Sequence, residues 1–194
     1  MPLLLASSSA IRHSMLDAAG VAHAVTPADI DEAAVKSMLG GDPAGLALEL
    51  AKTKAEAISS RHPDEWVIGS DSVVTVEGRT FDKPKSREAA ADHLRFFSGK
   101  PMQLISAVAL ARGGATDWCH GENATLRVRS LSDDFIADYL DREWPAVSHC
   151  VGVFRLEGPG VQLFDTIDGD HFTILGMPLL PLLGALRKRG LLAA

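Results

Sequence analysis

Cysteine is scarce in this chain: two among 194 residues, Cys119 and Cys150. Two cysteines build no disulfide framework, so stability must come from a core, as suits a reducing compartment such as the cytoplasm. Each neighbours a histidine, in Cys119-His120 and His149-Cys150, but adjacent strand residues point to opposite faces and chelate zinc poorly. Positive charge is also short, with 19 Lys and Arg against 25 Asp and Glu and a net charge of −6. That balance argues against a protein that coats nucleic acid, while leaving room for a small anion held by a few local cations. No long hydrophobic run is present. The opening MPLLLASSSA has no basic residues ahead of its short apolar stretch and reads as part of the fold rather than a signal peptide. The closing PLLPLLGALRKRGLL is too short and too basic to cross a bilayer. Repeats, linkers and low-complexity tracts are missing as well.

What is present is ordinary globular composition, 46% hydrophobic and 23% charged. It suits one domain over residues 1 to 194, in two lobes around a central cleft. Along the chain, Leu3 to Ala6 reads as a strand and Ala10 to Ala19 as a helix stopped by Gly20. His23 to Thr26 reads as a strand, Asp29 to Glu32 as an acidic turn, and Pro43 to about Arg61 as a long helix with Leu46, Leu50 and Ala57 on its apolar face. A strand VIGSDSVV (67 to 74) follows, then a hairpin turn at Glu77-Gly78 and a helix from Ser86 to Phe97. Strands at Gln103 to Ala111 and Ala124 to Arg129, a helix from Ser132 to Leu140, short strands and glycine turns from Cys150 to Ile174, and a helix from Pro178 to Arg189 complete a mixed α/β pattern.

VIGSDSVV is the most informative segment. Its apolar, β-branched run is interrupted by Gly69-Ser70-Asp71, and a carboxylate there is expensive unless it is paired or binds a ligand. Gly69 leaves the backbone open to close approach. We therefore expect the strand to end or kink at Asp71, placing a carboxylate where a metal or general base would sit. In LLLASSSAIR, serine hydroxyls and free N–H groups at a helix start favour an anion, and Arg12 in the first turn adds a phosphate grip. Each feature has a plainer reading, as a capping serine, a turn aspartate or a solvated cation. Asp31, Glu32 and Asp71 suit a hard divalent cation, and Lys54 and Lys83 would balance phosphate charge.

In combination these residues resemble the Maf family of nucleoside triphosphate pyrophosphatases, named for septum formation inhibition. The resemblance runs through LASSSAIR (5 to 12), DIDE (29 to 32), LAKTKA (50 to 55), IGSDSVV (68 to 74), DKP (82 to 84), FSGK (97 to 100), FRLEGPG (154 to 160) and IDGDHFTILGMPL (167 to 179), in the family's order. It implies an α/β fold of Maf and inosine-triphosphatase type and cleavage between the α- and β-phosphates of a nucleoside triphosphate, a house-cleaning hydrolysis of non-standard nucleotides. Asp71 matches the proton acceptor of the family's G-[AS]-D motif. Ser8, Arg12, Glu32, Lys54 and Lys83 match phosphate and metal positions, with Glu32 and Asp71 as ligands of Mg²⁺ or Mn²⁺. A cytoplasmic homodimer that engages neither nucleic acid nor membrane is expected.

Within the family, substrate choice follows the positions of Ile11, Ser72 and Glu157. The dTTP- and UTP-preferring branch carries arginine, threonine and glutamine there; the 7-methyl-GTP branch carries tryptophan, glutamine and glutamate. HCVGVFRLEG (149 to 158) resembles the second branch, lacking the first branch's tyrosine at Phe154 and lysine at Cys150. A Glu157 carboxylate accepts hydrogen bonds from the adjacent N–H donors of guanine's pairing edge, whereas uracil and thymine turn carbonyls toward it. Ile11 departs from the aromatic that would stack on a cationic base, Ser72 is shorter than either alternative, and Ala10 replaces a proline. The expectation is a 7-methyl-GTP-like substrate, with dTTP/UTP or inosine-triphosphate-type hydrolysis as the alternative. A nucleotide-binding regulator of cell division without turnover is the alternative of another class.

Overall fold

The computed structural model describes residues 3–39 and 41–193; the expected 1-to-194 span extends past them at both ends. Seven strands form one mixed sheet: β1 Leu3–Leu5, β2 Ala24–Val25, β3 Trp66–Val76, β4 Arg79–Phe81, β5 Pro101–Arg112, β6 Ala115–Val128 and β7 Phe164–Asp168. The helices are α1 Ala10–Ala18, α2 Glu32–Met38, α3 Pro43–Ser59, α4 Arg87–Phe97, α5 Asp133–Glu143, α6 His171–Ile174 and α7 Leu179–Lys188. Strand order is β2-β1-β3-β5-β6-β7, with β4 paired to β3. β1 is parallel to β2 and to β3, while β3–β4 and β6–β7 are antiparallel. The α/β class expected from the sequence is the one observed. No helix among the described residues is long and apolar enough to cross a membrane.

The chain divides into two compact units. The first comprises Met1–Ser72, Ile105–Glu122 and Asp170–Ala194; the second comprises Val73–Leu104 and Asn123–Gly169. The first unit's core gathers Leu3, Leu5, Leu16, Ile68, Val108, Leu110, Leu182 and Leu186 from β1, α1, β3, β5 and α7, with Met177 from the loop before α7. In the second, Phe81 of β4 meets Phe97 of α4 edge to face at 4.7 Å.

The boundaries follow from local chemistry. Asp42, Ser86 and Ser132 accept hydrogen bonds from the third backbone N–H beyond them and cap α3, α4 and α5. Glu77 and Gly78, at φ 52° and 76°, make the two-residue turn from β3 to β4.

Three expectations need correction. VIGSDSVV does not break at Gly69-Ser70-Asp71: β3 runs unbroken through all three. It lies between β1 and β5 and is covered on both faces, so an apolar run is the expected pattern for a continuous strand. The acidic turn is instead a helix start, with Asp31 accepting from Ala34 N at 3.1 Å and Glu32 opening α2. The strand expected from Ala124 begins at Ala115, because Gly113 and Gly114, at φ 60° and 82°, turn β5 directly into β6.

One contact governs where α3 lies. A Cβ on Gly69 would come within 2.1 Å of the Ala51 carbonyl oxygen and 2.7 Å of Ala55 N, so the α3 backbone rests on β3 at this residue. Ala47, Ala51 and Ala55 are fully buried at a four-residue spacing, and this small-residue stripe makes the approach possible. Gly69→Ala should therefore cost about 3 kcal/mol, at the upper end of core overpacking. Gly184→Ala, in the middle of α7 with no atom within 4 Å of the added Cβ, should instead gain about 0.5–1 kcal/mol. Urea unfolding of both variants tests the pair; equal midpoints would contradict the packing argument.

Candidate functional site

The candidate chemistry in the first unit lies on both faces of β3. Side chains two apart on a strand share a face, so Asp71 sits on the same side as Gly69, toward α3. The close approach of α3 there brings Lys54 onto Asp71. Lys54 Nζ donates to Asp71 Oδ1 at 2.5 Å and pairs with Glu32 Oε1 at 2.7 Å. The Lys54 and Asp71 side chains keep only 12% and 14% of their exposure, so this pair is well shielded, while Glu32 keeps 45%. Asp71 and Ser72 are also the half-open positions in an otherwise covered stretch, Val67 to Val76. One ammonium thus spans two carboxylates, one from a strand and one from a helix start.

The opposite face carries Arg12. Its Nε donates to the Gly176 carbonyl at 2.9 Å, Nη1 to Ser7 Oγ at 3.2 Å and to the Ser70 carbonyl at 3.0 Å, and Nη2 to Ser72 Oγ at 3.0 Å. Ser70 Oγ lies between the Ala107 and Gly176 carbonyls at 2.8 and 3.1 Å. Ser72 Oγ also meets Ser106 Oγ at 2.9 Å and the Gly176 carbonyl at 3.2 Å. Burial pulls the guanidinium below the ordinary arginine range, and the charges of Asp71 and then Glu32 push it back up. Gly176 has φ 109°, and a Cβ there would stand 3.3 Å from Ser72 Oγ, so glycine is what brings this carbonyl against Arg12.

This geometry gives several of the expected site residues partners within the protein. Arg12 was expected to grip phosphate, yet four of its donor contacts tie protein segments together. Ser72, expected to influence base choice, has its hydroxyl committed to Arg12, Ser106 and Gly176. The serine tract divides: Ser7 is buried and also accepts from Ser9 N at 3.2 Å, Ser8 is exposed, and Ser9 occupies the N-cap of α1 without a side-chain bond. Ile11 lines a largely apolar cavity of about 330 Å³ with Met15, Phe172, Leu175 and Leu179. Sequence reasoning missed Ser7, Ser70, Ser106 and Gly176. Their only signal was small polar residues and a glycine beside a buried arginine, and nothing along the chain pairs position 12 with 176.

Lys83 and Glu157 belong to the second unit. Both are exposed and act electrostatically on Cys150 together with Arg155 and Glu143. The loop bearing Glu157 is held from below. Arg155 forms a two-point pair with buried Glu143 at 2.8 and 3.0 Å, and Tyr139 donates to the Val153 carbonyl at 3.0 Å. A Cβ on Gly160 would meet the Arg155 carbonyl oxygen at 2.5 Å. Phe154 is buried against Phe164 with rings 4.9 Å apart.

Residues 2–189 match the family described as Maf-like protein. The chain belongs to the Maf family. A nucleoside triphosphate pyrophosphatase of Granulibacter bethesdensis is 48% identical over 191 residues, covering 97% of each chain. A 7-methyl-GTP pyrophosphatase of Rhizobium etli is 48% identical over 191 residues, covering 97% of this chain and 96% of that one. The Staphylococcus aureus Ham1 protein, a solved structure, is 16% identical with a TM-score of 0.46, covering 66% of this chain and 72% of its own.

Two outcomes are expected. Arg12→Lys replaces a planar fork with a compact ammonium and removes several charge-assisted hydrogen bonds to Ser7, Ser70, Ser72 and Gly176, lowering unfolding free energy by about 3 kcal/mol; unchanged denaturant stability would return Arg12 to a purely ligand-facing role. Burial, then the charge of Glu157, pushes the Cys150 thiol up to about 11. At pH 8 about one thiol in a thousand would then be thiolate. Iodoacetamide should label exposed Cys119 at least tenfold faster than Cys150, and mass spectrometry of the two peptides checks it.

Proposed function

We propose that this protein is a nucleoside triphosphate pyrophosphatase, cleaving between the α- and β-phosphates to release a monophosphate and pyrophosphate. The observation that carries the reading is the Glu32–Lys54–Asp71 cluster, where a shielded Lys54–Asp71 pair meets a second, more open carboxylate. The family and the activities named for its 48%-identical members support it.

The donor set fits a hard divalent ion. Glu32 Oε1 and Asp71 Oδ1 both lie within 2.7 Å of the Lys54 nitrogen, so the two carboxylates converge on positive charge at one point, which a bound divalent ion would share with Lys54. Two carboxylates completed by substrate phosphates and water is how Mg²⁺ is commonly held, and all-oxygen ligands suit Mg²⁺ or Mn²⁺. When bound, such an ion polarises the phosphate and lowers the pKa of a coordinated water.

The chain's own residues do the rest. Asp71 acts as proton acceptor for the attacking water, on a strand that cannot swing. Lys54 holds the two carboxylates in register and supplies positive charge beside the reacting phosphate. The exposed Ser8 hydroxyl, in the same unit, serves as a further phosphate contact. Arg12 acts through position, holding Ser7, Ser72 and the Gly176 loop so that Asp71 keeps its place on β3.

For the base, we infer a preference for 7-methyl-GTP. Glu157 is an exposed carboxylate on a loop braced by the Arg155–Glu143 pair. A fixed acceptor suits the paired donors of a guanine edge, and its charge suits a cationic methylated ring. Ile11 contributes an apolar surface in place of an aromatic.

A panel of 7-methyl-GTP, GTP, UTP, dTTP, 5-methyl-UTP and ITP with Mg²⁺ or Mn²⁺, read by pyrophosphate release, tests both levels. Preferential cleavage of 7-methyl-GTP is expected, and Glu157→Gln should erode that preference at least about tenfold by weakening one charged hydrogen bond. Preference for UTP or dTTP would keep the reaction and overturn the base assignment. Chelation with EDTA should stop turnover, and added Mg²⁺ or Mn²⁺ should restore it. Asp71→Asn should lower kcat by about 10²–10⁴ with folding retained; full activity in that variant would remove Asp71 as the base. No pyrophosphate from any substrate would favour a nucleotide-binding regulator.

A further inference from the structure

A second cluster of ligating side chains lies in the first unit. His13 and Asp17, four residues apart, share one exposed face of α1, and His23 precedes β2. His13 Nδ1 is 2.7 Å from His23 Nε2, and His13 Nε2 is 3.3 Å from Asp17 Oδ2. One ligand atom from each of the three lies within 4.8 Å of the others.

The histidine hydrogen bonds give this cluster its meaning. His23 is fully buried at its side chain, and its Nδ1 faces the Val21 carbonyl at 2.8 Å. A carbonyl only accepts, so His23 Nδ1 carries the hydrogen and Nε2 presents a lone pair. That lone pair points at His13. A histidine whose second ring nitrogen donates to a backbone carbonyl is the usual support of a metal ligand, because it sets both tautomer and ring orientation. Here the support is built in, and the buried ring is aimed at a second imidazole and a carboxylate, both open to solvent.

We propose that His13, Asp17 and His23 form a binding site for a transition-metal ion of the Zn²⁺ type. Two imidazoles and one carboxylate favour a borderline cation over Mg²⁺, which selects all-oxygen ligands. The site is thus chemically distinct from the Glu32–Asp71 pair. Two Zn–N bonds of about 2.0 Å at the tetrahedral angle place ring nitrogens about 3.3 Å apart, so the present spacing of 2.7 Å needs to open by roughly 0.6 Å, a shift the exposed His13 ring can make. Three protein ligands leave a fourth position for water. The ion would clip α1 to the segment entering β2, one residue from Arg12, and would stabilise the first unit without entering the reaction.

The test uses the full chain, stripped with EDTA and returned to buffer with excess Mg²⁺ so that hard-cation sites are filled. Zn²⁺ titrated by calorimetry should bind at one equivalent per chain and raise the unfolding temperature. His13→Gln and Asp17→Asn change exposed side chains. Each should weaken Zn²⁺ binding at least about tenfold and remove the thermal gain, while Asp71→Asn keeps both. In the unsubstituted protein, Co²⁺ should broaden the ring NMR signals of His13 and His23 ahead of other histidines. Zn²⁺ binding that is absent, or as tight in His13→Gln and Asp17→Asn as in the parent, would overturn the proposal. So would Co²⁺ broadening that spares both rings.

Discussion

The guanidinium of Arg12 is the constraint on which the first unit's site depends. Its donors reach the loop after β1 through Ser7, the middle of β3 through the Ser70 carbonyl and Ser72, and the loop between α6 and α7 through Gly176. These segments are 58 to 164 residues away from Arg12 in sequence, Ser7 excepted. Charge-assisted hydrogen bonds contribute about 1.5–3 kcal/mol each when their partners are well placed. Against them stands the cost of removing a cation from water, visible as the downward push on its pKa. Asp71 and Glu32 offset part of that cost from across the strand. Removing either carboxylate would therefore loosen the arginine as well as the site's own chemistry.

The other face of β3 is controlled by size. Gly69 lets the α3 backbone come down on the strand, and Ala51 and Ala55 present nothing to hold it off. Only at that distance does Lys54 reach Asp71. The resulting charges, Lys54 and Arg12 against Asp71 and Glu32, are balanced, so Lys54 and Asp71 can sit at low exposure. A divalent ion and a triphosphate would arrive together as a negatively charged complex and disturb this balance less than a bare phosphate would.

Several of these elements were legible in the sequence. Asp71 stood out because a carboxylate in a run of valines is costly, and Gly69 beside it correctly signalled close approach. The helix starts at Pro43, Ser86 and Ser132 and the turn at Glu77-Gly78 follow from local propensities that tertiary packing did not oppose. The break at Asp71 was misread because a strand paired on both sides can tolerate a polar residue when a neighbouring helix delivers a partner cation. α2 went unseen because DIDE reads equally as a turn; only Asp31 accepting from Ala34 N distinguishes a cap. The commitment of Arg12 and Ser72 to Gly176 had no local signal, since it depends on a carbonyl supplied from the far end of the chain. Family motifs identify such residues without revealing whether they face a ligand or one another.

The same distinction bears on specificity. Asp71, Lys54 and Arg12 sit on β3, α3 and α1, where a change of side chain disturbs a covered strand or a buried network. Glu157 sits on an exposed loop whose support comes from its neighbours: Arg155 on Glu143, Gly160 against the Arg155 backbone, Tyr139 on the Val153 carbonyl. A loop braced in this way can exchange the residue at its tip without refolding, because none of those bonds involves the Glu157 side chain. Substrate choice can then drift while the hydrolytic residues stay in place. Phe154 is different, since its ring is part of the second unit's core against Phe164. Replacing it with the tyrosine of the other branch would require a partner for a hydroxyl in that core. On the proposed reading a change at Glu157 alone would alter recognition, whereas a change at Phe154 must be accommodated by its packing against Phe164.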